Sequence, residues 1–80
     1  MPFFVCEMIW DTLKKRFGKR VQALRFQEKM TQEDLANAVG VTVESISNIE
    51  RGIYGPSFDT LEKLAAALGE EVKNLFIFDE

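Results

Sequence analysis

Apolar residues recur three and four apart along most of the chain, the spacing that collects one face of an α-helix. Trp10, Leu13, Phe17, Val21 and Leu24 mark a first helix from about Asp11 or Thr12 to Glu28. Gly18 interrupts it, at a cost of about 1 kcal/mol against alanine, and lets another backbone come close. Leu35, Ala36, Val39, Val41, Ile46 and Ile49 point inward from two short helices between Thr31 and Gly52. Ala36 is small where the two axes approach. Phe58, Leu61, Leu64, Ala65 and Leu68 form the inner face of a fourth helix, and Val72, Leu75 and Phe76 the apolar side of a short fifth over 71–76.

Polar residues punctuate this pattern where helices must begin and end. The hydroxyls of Thr31, Thr42 and Ser57 can accept from orphan N–H groups of a first helical turn, and Asp34 stands where a capping box has its reciprocal partner. Gly40 makes the tight turn between the two short helices, because glycine tolerates left-handed backbone. Gly52 ends the third helix, Ile53-Tyr54-Gly55-Pro56 is a loop, and Gly69 stops the fourth helix. The helix from Thr42 to Arg51 then leaves Val43, Glu44, Ser47 and Asn48 free to face outward. An exposed helix held at a fixed angle by its neighbour suits a DNA major groove.

The residues of this stretch carry a resemblance. Gln32, Ala36, Gly40, Ile46 and Ile49, then Ile49-Glu50-Arg51-Gly52 and Pro56, stand at the spacing of the Cro/C1 (XRE) helix-turn-helix family of phage and bacterial repressors. Leu24-Arg25 upstream and Thr60-Leu61-x-x-Leu64-Ala65-x-Ala67-Leu68 downstream match as well, so the resemblance covers about residues 17 to 76. It implies an all-α, five-helix, lambda-repressor-like bundle around a central helix-turn-helix. The division that follows is an apolar extension over 1–10, the helix-turn-helix domain over 11–76 and a tail over 77–80. In length, and in lacking an effector domain, the chain is also similar to restriction–modification controller proteins.

The first ten residues are apolar in Phe3, Phe4, Val5, Ile9 and Trp10. Three readings stay open: packing on the core or a partner subunit, a strand pairing Phe3-Phe4-Val5 with Phe76-Ile77-Phe78, or a native start at Met8. The run lacks the basic start and cleavage site of a signal peptide.

Composition narrows the function classes. At 46% hydrophobic the 80 residues are not a disordered chain. The lone Cys6 excludes an internal disulfide and suits a reducing compartment, so a cytoplasmic location is expected. No apolar run reaches the ~20 residues of a membrane span. The absence of histidine removes the usual general base and metal ligand, and no phosphate-binding loop or cysteine pair is present. The expectation is a protein that is not an enzyme and needs no cofactor, metal or evident small-molecule effector.

A net charge of −3 runs against DNA binding until its distribution is read. Residues 14–29 hold seven basic groups and one acid, and residues 59–80 six acids and two lysines. This is either a basic DNA face with an acidic rear or a set of solvated helix faces. Base edges would be read by Thr42, Val43, Glu44, Ser47 and Asn48: Asn suits adenine, Glu the cytosine amino group, Val a thymine methyl. Equally, Glu44 can serve only to complement the helix dipole. Phosphates would be met by the start of the second helix, by Arg51 and by N–H groups near Gly52, with Tyr54 either a phosphate donor or an exposed loop ring. Lys19 and Arg20, like Lys14, Lys15 and Arg16, flank the DNA or only solubilise the first helix.

The resemblance implies three further things. Gln32 contacts phosphate. Arg25 and Glu50 form a partly buried ion pair that ties the first helix to the recognition helix. The protein binds a palindromic operator as a two-fold dimer, regulating transcription. The surplus apolar residues Val72, Leu75, Phe76, Ile77 and Phe78 are the expected dimer interface, joined or not by Phe3, Phe4 and Trp10; the alternative is that they finish the monomer's own core. The rival reading is an antitoxin whose apolar ends hold a toxin and whose DNA binding is autoregulatory.

Overall fold

In the computed structural model the backbone is described for residues 2–78 and the side chains for 13–78. Four α-helices follow one another: α1 (Pro2–Gln27), α2 (Gln32–Val39), α3 (Val43–Glu50) and α4 (Phe58–Leu68). A 3-10 helix over Val72–Phe76 completes the bundle. No strand occurs among the described residues. The all-helical expectation therefore holds, with the fifth element wound as 3-10 instead of α.

The core is the set of positions that the periodicity picks out. Phe17, Val21 and Leu24 of α1 meet Leu35, Ala36 and Val39 of α2, Ile46 and Ile49 of α3, and Leu64, Ala65 and Leu68 of α4. Leu75 of the 3-10 helix closes one end, with Val41, Leu61 and Val72 packed against the cluster. Full burial of each large side chain contributes about 1.5–3 kcal/mol.

The helix ends are chemically specified. Thr31 Oγ1 accepts from the Asp34 N–H at 3.0 Å while Asp34 Oδ2 accepts from the Thr31 N–H at 2.9 Å, a complete capping box. Thr42 and Ser57 cap α3 and α4 without the reciprocal bond, their hydroxyls accepting from the Ser45 and Thr60 N–H groups. Gly40 at φ +88° and Gly69 at φ +71° end α2 and α4 with left-handed backbone. The α1–α2 turn uses a lysine instead: Lys29 has φ +58°. Arg25 Nη1 donates to the Met30 carbonyl at 2.8 Å and holds that turn.

Three expectations need correction. Helix α1 begins at Pro2, not near Asp11, and the strand proposed for Phe3-Phe4-Val5 does not form. Proline is tolerated in a first helical turn, and nothing between it and Gly18 breaks a helix. Phe58 and Leu13 fit the helical stripe yet stand 85% and 40% exposed. Both line one open apolar cleft with Phe17 and Phe76. Phe76 is 40% exposed, its ring 5.1 Å from that of Phe17. The packing of Phe3, Phe4 and Trp10 lies outside the described side chains.

Candidate nucleic-acid interface

Helix α3 owes its position to contacts on its inner side. Ile46 and Ile49 anchor it in the core, and Ala36 of α2 leaves room for it. Its last residue is held by charge. Arg25 Nε donates to Glu50 Oε2 at 2.7 Å and Nη2 donates to Glu50 Oε1 at 3.1 Å, a bidentate pair with both side chains under a tenth exposed. Arg25 also lies 4.6 Å from the centre of the Phe26 ring, which covers it on the solvent side. A charge pair of this kind is stable because every donor has a partner, and removing one member strands the other.

The opposite side of α3 is open. Val43 and Glu44 are exposed, and Ser47 and Asn48 half-buried one turn later. Thr42 is exposed too, but its hydroxyl is already engaged: it accepts from Ser45 N–H at 3.1 Å and donates to Ser45 Oγ at 3.0 Å. Its methyl and one remaining acceptor lone pair are what it can offer a base. Glu44 stands in the first turn, where the helix dipole favours its charge.

Around this face the phosphate candidates divide. Gln32 begins α2, and its Nε2 donates to Glu50 Oε1 at 3.0 Å, leaving that amide a second N–H. The capping box satisfies the N–H groups of Thr31 and Asp34 and leaves those of Gln32 and Glu33 at the helix mouth. The carboxylates of Glu33 and Asp34 occupy the same turn and oppose an anion there. Arg51 and Tyr54 are exposed beyond the far end of α3. The backbone there is not available: the N–H groups of Arg51, Gly52 and Ile53 donate inward to Ser47, Ile49 and Asn48 at 3.0–3.1 Å.

Lys19 and Arg20 sit elsewhere. With Arg16 they line a cleft closed by Ile77 and Phe78, and Arg20 Nε donates to the Asn74 carbonyl at 2.9 Å. Besides Arg25, the α1 cation Lys15 stands beside the end of α3, where its backbone meets Gly52. A finer reading of the sequence would have found it: Lys15, Gly18, Gln22 and Arg25 are spaced three and four apart on one face of α1.

Among the expected interface residues, Leu75 is fully buried in the protomer's own core and Val72 packs against it. Leu75 offers no surface to a partner, and Val72 is only partly exposed. Phe76 and Ile77 offer more, at 40% and 52% exposure, while Phe78 is half-buried with its ring edge-on to Phe76 at 6.4 Å. No group of acidic or cysteine side chains among the described residues could hold a metal ion. No helix, among the described residues, is long and apolar enough to cross a membrane.

Comparison with known proteins agrees with this geometry. A family model described as helix-turn-helix matches residues 21–73. An "uncharacterized HTH-type transcriptional regulator" of Archaeoglobus fulgidus is 41% identical over 61 residues, spanning 76% of this chain and 86% of the relative. The control protein C.BamHI of Bacillus amyloliquefaciens is 36% identical over 69 residues, 85% of each chain. The crystal structure of the restriction–modification controller protein C.AhdI from Aeromonas hydrophila superposes with a TM-score of 0.76 at 35% identity, over 78% of this chain and 94% of that one.

Proposed function

This chain belongs to the helix-turn-helix family of DNA-binding transcriptional regulators, not an enzyme family, and we propose that it works by laying α3 in the major groove of an operator. The observation that carries this reading is the contrast between the two sides of α3. One side is fixed by Ile46, Ile49 and the Arg25–Glu50 pair; the other presents Val43, Glu44, Ser47 and Asn48 to solvent. Phosphates meet the protein around the C-terminal end of that helix, where Gln32 with the α2 N–H groups lies on one side and Arg51, Tyr54 and Lys15 on the other. Gln32 then joins a phosphate to Glu50 and Arg25 through one chain of hydrogen bonds, so backbone docking and recognition-helix position are coupled.

Two copies act together. One eight-residue helix reads a few base pairs, and a two-fold pair places two such helices about 34 Å apart on half-sites one turn apart. Phe76, Ile77 and Phe78 supply the apolar surface for that pairing, which leaves Leu75 and Val72 to the core. The test uses Asn48→Ala. On a duplex enriched from a random pool by the native chain, affinity should fall by about 1–3 kcal/mol, with little change on the unselected pool. Equal losses on both would remove Asn48 from base reading.

A further inference from the structure

We infer that Gly18 and Gly52 are positioning residues that set the angle at which α3 meets DNA; the inference rests on α3 being the reading helix. Gly18 lies mid-helix, where alanine would be favoured by about 1 kcal/mol. A Cβ there would lie 2.4 Å from the Ile49 carbonyl oxygen, 2.5 Å from that of Glu50 and 2.8 Å from the Glu50 carbonyl carbon. All three are backbone atoms of the last turn of α3. They cannot swing aside as a side chain would, so relief requires the end of α3 to move as a body.

Gly52 answers from the other side. Its φ of +76° suits glycine, and a Cβ would lie 2.8 Å from Lys15 Cγ, which can turn aside, and 3.0 and 3.2 Å from Lys15 Cα and N, which cannot. The turn of α1 from Lys15 to Gly18 and the segment from Ile49 to Gly52 therefore touch backbone to backbone, each through a glycine. Arg25 holds Glu50 to α1 by charge, and the two glycines set how near the helices come.

The consequence for reading follows from lever length. Ordinary contact for a Cβ begins at 3.4 Å, so a methyl at residue 18 displaces the end of α3 by about 1 Å. The start of the helix is held by the Gly40 turn, so displacement grows toward Ser47 and Asn48. Over an eight-residue helix, ~12 Å long, the outer face tilts by several degrees and near Asn48 moves by more than the ~0.5 Å a binding constellation tolerates. Base contacts depend on that placement, whereas phosphate attraction without sequence choice does not.

The experiment compares Gly18→Ala and the native chain on two probes: the duplex the native chain enriches from a random pool, and the unselected pool. Affinity for the enriched duplex should fall about tenfold, the loss of roughly one base contact, with the pool unchanged within about twofold. Amide resonances of residues 43–50 should shift while those of α4 stay. Gly52→Asn, a milder intrusion with a residue that accepts left-handed backbone, should show the same selective loss at about threefold, and it decides the matter should Gly18→Ala not fold. Unchanged affinity for the enriched duplex, or equal loss on both probes, overturns the inference. Failure of the native chain to enrich any duplex would overturn the DNA reading beneath it, a result distinct from either.

Discussion

At the scale of single residues, Arg25 joins more of the structure than any other side chain described. Its guanidinium grips Glu50, holds the Met30 carbonyl and lies against Phe26. Arg25→Ala should cost about 3–5 kcal/mol in denaturant unfolding, because the Glu50 carboxylate is left buried without its partner. A loss under 1 kcal/mol would mean that water reaches Glu50. Lys29 offers the opposite case. Left-handed backbone costs a residue with a Cβ about 1–2 kcal/mol, so Lys29→Gly should raise stability by about 1 kcal/mol in the same measurement. The ion pair was legible from the Leu24-Arg25 and Ile49-Glu50-Arg51-Gly52 matches. The strained Lys29 was not, since lysine carries no turn signal and only its neighbours force the geometry.

At the scale of elements, the short helices were the readable part. Thr31, Thr42 and Ser57 cap as their chemistry predicts, and Thr31→Ala should lower stability by about 1 kcal/mol through loss of the reciprocal box. Helix α1 was harder, because an apolar run at a terminus fits a helix, a strand or a partner contact equally well until its neighbours are known. The last element lies where the periodicity places a short helix, wound as 3-10. Leu75 and Val72 look like surplus hydrophobes in sequence, yet a small bundle needs them to close its end. Within the interface, the face of α3 could be assigned from the positions left over by the core. Lys19 and Arg20 could not be placed from the sequence, because a run of cations does not say which side of the helix meets DNA. Arg20 instead binds the carbonyl of Asn74.

At the scale of the molecule, an acidic protein with pI ≈ 4.9 must meet a polyanion through a local surface. Few phosphate contacts are available, so affinity should fall with salt, but with a slope matching only the handful of cations beside α3. In the proposed two-fold reading, pairing of two copies would multiply that weak hold. Ile77→Lys should shift sedimentation equilibrium toward the single-chain mass and weaken operator binding, whereas an unaltered mass would take Ile77 out of the interface. The central claim is that the outward face of α3, repeated in two copies, reads paired bases. Selection of duplexes from a random pool by the native chain tests it most directly. The account predicts enrichment of a two-fold symmetric sequence with half-site centres about one helical turn apart. A pool that stays unenriched, or that yields a sequence without symmetry, contradicts it.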